Sequence, residues 1–399
     1  MTRTLFITWD GPESAYLESL TLPIFTALHP YGFHFDVLQF HWDEPNKVRE
    51  TRDLCARSGI GYRGVRVWRS VPGIGSLLSA LAGGWRIDSA VSHFGSDVLL
   101  PRSTIPALTT LRSRAGRHLP IVFDADGLAA DEKIEFVDGA SPFEYRVMRD
   151  VETRILRRSA RVLVRSPAAI PTLKARAGPL TTEPDYILFT NGRDPEIFAP
   201  GIDTERLQIR NQLQIGADTP IILYVGTLGG GRKYDIDGLI AVVRAVRAER
   251  PDSQFLLLTG QIEEATRELE RHGPDLLPHA LIRRVPPGEM PRWIAAADVG
   301  VAMISEGFST TAVQPIKTAE YLLCGVPVIG TLGIGQTAAA ENVGVFKSGQ
   351  EPVAAARWFA REVLPNRERF RTYARTAGEE MFSLSKAADA LREALVNLV

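Results

Sequence analysis

The feature that most constrains this chain is an alternation of strand-like and helix-like segments that begins twice. Short β-branched or apolar runs alternate with longer amphipathic segments along all 399 residues. In the first half the strand candidates are LFIT (5–8), FHFDVLQF (33–40), SAVSHF (89–94), PIVFDA (120–125), RVLVRS (161–166) and YILFT (186–190). In the second half they are IILYVG (221–226), FLLLTG (255–260), ALIRRV (280–285), VGVAMI (299–304), VPVIGT (326–331) and GVFKSG (344–349). Helical patterns such as GLIAVVRAVRAER (238–250) separate most of them, a spacing that implies parallel, doubly wound sheets. A run of turn formers, TNGRDPEIFAPGIDTER (190–206), interrupts the series, and TPIILYVGTLGGG then reads as a fresh first strand entering a glycine loop. The expected fold is α/β, with two Rossmann-like doubly wound domains at 1–190 and 205–380 around a hinge at 191–204. The closing helix within 381–399 is expected to cross back to the first domain. In open parallel sheets ligands gather beyond the carboxyl ends of the strands. Candidate residues are therefore sought just after strands, in a central cleft faced by both domains.

Composition narrows the chemistry. A net charge of −1 carries no basic excess that would point to nucleic acid. Cys55 and Cys324 lie far apart with no CxxC, which suggests neither a disulfide framework nor a zinc site. The start, MTRTLFITWDGPES, reads as a strand stopped by a turn, too short an apolar run for a signal peptide. No run of about 18 apolar residues is present, so no transmembrane helix is expected and a cytoplasmic setting is. Residues 144–176 carry nine Lys and Arg against Glu144, Asp150 and Glu152, with Phe143, Val147, Val151 and Ile155 spaced as a core face. That excess suits either a solvated basic helix or peripheral contact with anionic lipid or a lipid-linked diphosphate.

Two stretches of the second half carry donor chemistry. GTLGGGRKYDIDGL (226–239) follows a strand and precedes a helix, so its amides and the helix dipole suit an anion. Arg232 and Lys233 at its end suit phosphate oxygens, or simply a solvated turn. In QPIKTAEYLLCGVPVIG (314–330), Ile316, Ala319 and Leu323 fall on one helix face, while Lys317, Glu320, Tyr321 and Cys324 form another stripe. Helical side chains tilt toward the N-terminus, so Lys317 and Glu320 are placed to reach a ligand there. A carboxylate accepts hydrogen bonds from vicinal ribose hydroxyls and a lysine neutralises diphosphate. The competing reading is an intrahelical ion pair, for which the order Lys then Glu is the poorer one.

QPIKTAEYLLCGVPVIG resembles the P-x-K-x-x-E-Y-x-x-x-G-x-P-V-I pattern of nucleotide-sugar glycosyltransferases with the GT-B fold, notably family 4. FTNGRDPEIFAP, ILYVGTLGGGRKYDIDGLIAVVRAV, RVPPGEMPRWIAAADVGVAMI and VETRILRRSARVLVRS resemble further segments of that family in the same order. The resemblance covers the second domain and part of the first. It implies that Glu320 binds the donor ribose, that Lys233 contacts the diphosphate with Arg232 beside it, and that Gly226 ends the first donor-domain strand. The family's earlier glutamate, eight before Glu320, is Ala312 here. Glu306 in SEGFS, or the amides of Ser309, Thr310 and Thr311, are the candidates to meet the donor sugar instead. Thr227 stands where the family has the arginine of its Val-Gly-Arg motif.

First-half candidates are fewer. VFDADGL (122–128) contains a DxD, Asp124 and Asp126, whose oxygens suit a divalent ion. By the resemblance, Asp126 takes the place of a histidine near the reacting sugar, and a carboxylate there would be a general base. His93 in SHFG is expected at a strand end, as a catalytic or a structural residue. Gly11 in WDGPES (9–14) is expected either to let the backbone approach a sugar or phosphate or to make a tight turn. The expectation is a retaining glycosyltransferase that takes a nucleoside-diphosphate sugar, needs no metal or other cofactor, and serves a glycan or lipid-linked acceptor. Bacterial polysaccharide assembly is the expected setting. The rivals are a GT-B-fold UDP-sugar epimerase and a non-catalytic binding partner.

Overall fold

Helical connections between successive strands leave parallel pairing as the topology, and every strand pair here is parallel. The computed structural model describes residues 2–11, 15–42, 44–67, 79–229 and 232–398. The chain divides into two units, one of residues 1–135, 139–192 and 384–399, the other of 136–138 and 193–383. The turn-rich run at 191–204 is therefore split, with Asn191 and Gly192 in the first unit and the remainder in the second.

The first unit holds β1 (Thr2–Asp10), β2 (Phe33–His41), β3 (Gly61–Arg66), β4 (Val98–Pro101), β5 (Val122–Asp124), β6 (Arg161–Val164) and β7 (Asp185–Leu188). They run in the orders β3-β2-β1-β4 and β5-β6-β7. Single bridges, Leu99 to Ile121 and Arg102 to Asp124, link β4 to β5. Sheets covered on both faces need continuous apolar strands, and Leu5, Phe6 and Ile7 of β1 are all buried. Phe25 stacks on Phe35 at 4.0 Å and meets the edge of Phe6 at 5.2 Å. The closing helix Leu384–Leu395 completes this core, because Ala387, Leu391 and Leu395 recur on one stripe and bury it there.

The second unit holds β8 (Ile221–Val225), β9 (Gln254–Leu258), β10 (Ala280–Arg283), β11 (Val299–Ala302), β12 (Val328–Gly330) and β13 (Phe346–Ser348), in the order β10-β9-β8-β11-β12-β13. Side chains alternate between two cores. Ile221 and Leu223 pack with Tyr321 and Leu322, while Ile222 and Tyr224 pack with Val243 and Leu257.

One expected strand is a helix. SAVSHF belongs to Gly84–Phe94, whose buried Gly84, Ile87 and Ala90 recur every three residues, and Gly95 in the left-handed region (φ 69°) ends it. The strand of this region is β4, a few residues later. His93 consequently sits in an exposed last helical turn against Phe94, at 4.7 Å, and not at a strand end. Among the described residues no helix is long and apolar enough to cross a membrane.

Candidate functional site

The strand order of the second unit reverses between β8 and β11, the position where doubly wound sheets open a crevice. The glycine loop leaves β8 there. Gly226 has φ 128°, a conformation that suits glycine, and Gly230 and Gly231 lie outside the described residues. Beneath the loop lies Lys317, on the helix Ile316–Leu323. Its Nζ is 3.9 Å from the centroid of the Tyr224 ring and 4.9 Å from that of Tyr234. A Cβ at Gly226 would stand 3.4 Å from the same Nζ, so glycine lets the backbone pass close to the ammonium. Burial lowers the Lys317 pKa to about 7, with Glu320 opposing the shift. The two aromatic faces offset part of this cost in solvation.

Glu320, 7% exposed, does not pair with Lys317. Its Oε1 accepts from Arg193 Nε at 2.9 Å and from Arg193 Nη2. The intrahelical ion pair considered from the sequence is thus replaced by a contact 127 residues away along the chain. Arg193 is not among the residues that the sequence singles out. Its one signal is the arginine of NGRD. Tyr321 and Cys324, assigned to the same stripe as Lys317, are fully buried. Tyr321 Oη accepts the Val225 N–H at 2.8 Å, and burial pushes the Cys324 thiol well up.

Two loops of this unit are laced together. The Ser305 N–H donates to the Lys233 carbonyl at 2.9 Å and the Ser305 hydroxyl to the Arg232 carbonyl at 2.5 Å. This fixes the loop after β11 to the one after β8. Arg232 is exposed and Lys233 partly buried. Glu306 is exposed and its Oε1 accepts from Gln350 Nε2. Ser309 and Thr310 are buried in the short turn Ser309–Ala312. The Thr310 and Thr311 hydroxyls turn back onto the carbonyls of Gly307 and Phe308, both at 2.8 Å. The second unit therefore carries Gly226, Arg232, Lys233, Glu306, Ser309, Thr310, Thr311, Lys317 and Glu320 at or just beyond the carboxyl ends of β8 and β11 and on the helix that follows.

Asp126, Gly11 and His93 belong to the first unit. Asp126, at φ 53°, follows β5, and its Oδ2 accepts from Arg102 Nε at 3.0 Å and pairs with Arg102 Nη2 at 2.8 Å. Arg165 Nη2 lies 2.8 Å from Asp124 Oδ2 and 3.3 Å from Asp126 Oδ1. Burial raises the Asp124 pKa, Arg165 opposing. Burial disfavours the charged Arg102, but Asp126, Asp124 and Asp10 outweigh it and raise the pKa. Both DxD carboxylates are thus matched by guanidiniums, which repel a divalent ion. Among the described residues no group of three His, Cys, Asp or Glu is arranged to hold one. At Gly11, a Cβ would meet the Trp42 ring at 2.4 Å, so glycine is needed there for packing; residues 12–14 lie outside the described set.

Part of the basic segment is paired with carboxylates where it stands. Arg149 pairs with Glu152, Arg154 with Asp150, Arg161 with Asp185, Lys174 with Glu183, and Arg176 with Asp131 and Glu152. Arg146, Arg157 and Arg158 donate to carbonyls of Pro142, Pro179 and Leu119.

Residues 219–361 match the family Glycosyl transferases group 1. No curated protein matches the sequence. Among solved structures, Anabaena HepE in complex with UDP and glucose is similar at TM-score 0.69 and 16% identity, over 99% of each chain. WaaG, a glycosyltransferase involved in lipopolysaccharide biosynthesis, is similar at TM-score 0.67 and 16% identity, over 97% of this chain and 98% of the other. The UDP-GlcNAc 2-epimerase of Neisseria meningitidis, bound to UDP-GlcNAc, is similar at TM-score 0.59 and 12% identity, over 99% and 100%.

Proposed function

We propose, for a chain whose fold is GT-B and whose residues 219–361 match the group 1 glycosyl transferases, that it moves a sugar from a nucleoside-diphosphate sugar to a hydroxyl acceptor. The observation that carries this reading is the Lys317 ammonium under the Gly226 loop with Glu320 one turn further on. In it, Glu320 takes the donor ribose, and Lys317, Lys233 and Arg232 take the diphosphate. Departure of the nucleoside diphosphate builds negative charge, which these cations and the loop amides stabilise without a divalent ion. Glu306 and the amides of Ser309, Thr310 and Thr311 serve the donor sugar. Transfer with retention, a glycan or lipid-linked acceptor near Asp126, and a role in polysaccharide assembly complete the proposal. UDP is the first nucleotide to try, since HepE is seen with it.

Thermal melting with UDP, GDP, ADP, dTDP and CMP, with and without magnesium, tests the donor site. Ligand bound only to the folded state raises the melting temperature by mass action. The expected result is a shift with one nucleotide, independent of magnesium and reduced in Glu320→Ala. No shift with any nucleotide sinks the transferase reading, and a shift only with magnesium moves the diphosphate site to a metal. Turnover of the donor to free sugar and nucleotide without acceptor would favour the epimerase rival.

Peripheral contact with anionic membrane through residues 144–176 belongs to the same proposal. Its support is Phe143, 64% exposed at the start of the helix Pro142–Arg158, with exposed Arg146, Arg154 and Arg157 further along the same helix. Cosedimentation with phosphatidylglycerol vesicles, lost in Phe143→Asp, is the expected outcome. Equal sedimentation of both proteins would remove the idea.

A further inference from the structure

Glu320 is held by a partner that its own helix does not supply. Arg193 opens the second unit's main segment, and its guanidinium and the Glu320 carboxylate are almost wholly shielded, at 11% and 10% side-chain exposure. Two of its guanidinium bonds fall on Glu320 Oε1, and Oε2 receives neither. The arginine is itself braced from other directions. Its N–H donates to the Phe382 carbonyl at 2.8 Å, and its guanidinium lies 5.1 Å from the Phe198 ring centroid.

We propose that Arg193 is a positioning residue for the donor site, resting on the reading of Glu320 as the ribose carboxylate. The argument has two parts. A carboxylate gripped at one oxygen by a braced arginine is oriented before the ligand arrives, so ordering it costs little binding energy. Its second oxygen then receives the ribose hydroxyls. The same grip decides which cation meets the phosphates. Without Arg193, the nearest cation to Glu320 on the same helix is Lys317, one turn away, and an ion pair between them would draw the ammonium from under the Gly226 loop. Arg193 thus satisfies Glu320 and leaves Lys317 to the diphosphate.

The test compares UDP, GDP and ADP with their 2′,3′-dideoxy analogues by calorimetry, on wild type, Arg193→Ala and Arg193→Lys. A hydrogen bond to a charged group gives the wild type roughly a tenfold preference for the ribonucleotide. In Arg193→Ala that preference is expected to collapse toward unity, and in Arg193→Lys, which restores charge but not the planar fork, to recover in part. A merely structural arginine would weaken both ligands alike and leave the ratio intact, which overturns the proposal. A ratio that rises in Arg193→Ala also overturns it, showing that the arginine competes with the ribose. If Arg193→Ala does not fold, a wild-type ratio in Arg193→Lys decides against it. A wild type that binds none of the nucleotides fails the transferase reading itself, a result distinct from binding with an unchanged ratio.

Discussion

Lys317→Met should melt at a higher temperature than the wild type at pH 6 to 7 and lose its stabilisation by nucleoside diphosphates. Burial lowers the lysine's pKa from 10.5 to about 7, so the folded protein carries an ammonium at a cost in solvation. Methionine keeps the unbranched apolar stem and removes the charge. Discounted for the partial exposure of the side chain, the gain is on the order of 2 kcal/mol, or about 5 °C for a unit of this size. Its pH dependence has a definite sign. Between about 7 and 10.5 the unfolded chain holds a proton that the folded chain has lost, so this group makes wild-type stability rise with pH across that window. The two melting curves should therefore converge as pH increases from 7 toward 10. Ligand binding runs the other way. A diphosphate restores the charge, so wild-type UDP affinity should fall as pH rises through the same window, with proton uptake on binding. Uridine, lacking phosphates, should bind the variant nearly as well as the wild type. A variant that melts lower at pH 6 would show that the ammonium is not desolvated, and one that keeps its UDP shift would show that the ammonium is not part of the site.

Much of this architecture is visible in local sequence because strands covered on both faces are continuous apolar runs. IILYV, FLLL and VGVA announce β8, β9 and β11 without reference to anything distant. Edge and short strands escape that test. GYRGVR, which forms β3 at the end of its sheet, has two glycines and two arginines and no apolar run, and it is not among the strand candidates. SAVSHF reads as a strand because its apolar residues fit both periods, and only the left-handed Gly95 after it marks a helix end. The site divides the same way. Lys317 and Glu320 are legible because one helix turn relates them, whereas Arg193 reaches Glu320 only through the tertiary fold. The same holds for Asp126. Its arginines follow β4 and β6, the two strands on either side of β5, so the cluster exists only once the order of strands is known. Local patterns show which groups the chemistry has available, and the packing decides which of them are already spent on one another.

Asp298→Ala should cause the largest loss of stability in the second unit. The carboxylate lies immediately before β11 and collects Arg210 Nη2 at 2.8 Å, Arg206 Nη2 at 2.7 Å, the Ile221 N–H at 2.8 Å and Arg367 Nε at 3.0 Å. Arg210 is fully buried, and burial lowers its pKa to about 10 while Asp298 opposes the shift. Deleting the carboxylate leaves a guanidinium in the interior with no counter-charge and frees the first amide of β8. Breaking a buried pair from one side costs about 3–5 kcal/mol, or roughly 10 °C. Asn in its place keeps an acceptor for Ile221 and forfeits the charge, so it should fall between wild type and alanine. The consequence extends to the donor site, because Ile221 and Val299 begin the two strands whose far ends carry the Gly226 and Ser305 loops. The UDP shift should shrink with the stability of this unit and return when the protein is cooled well below its melting point. A loss under about 1 kcal/mol in Asp298→Ala would mean that the bonds Arg210 already gives to the Gly216, Thr219 and Ala296 carbonyls suffice for it, and the cluster would then have no claim to hold β8 against β11.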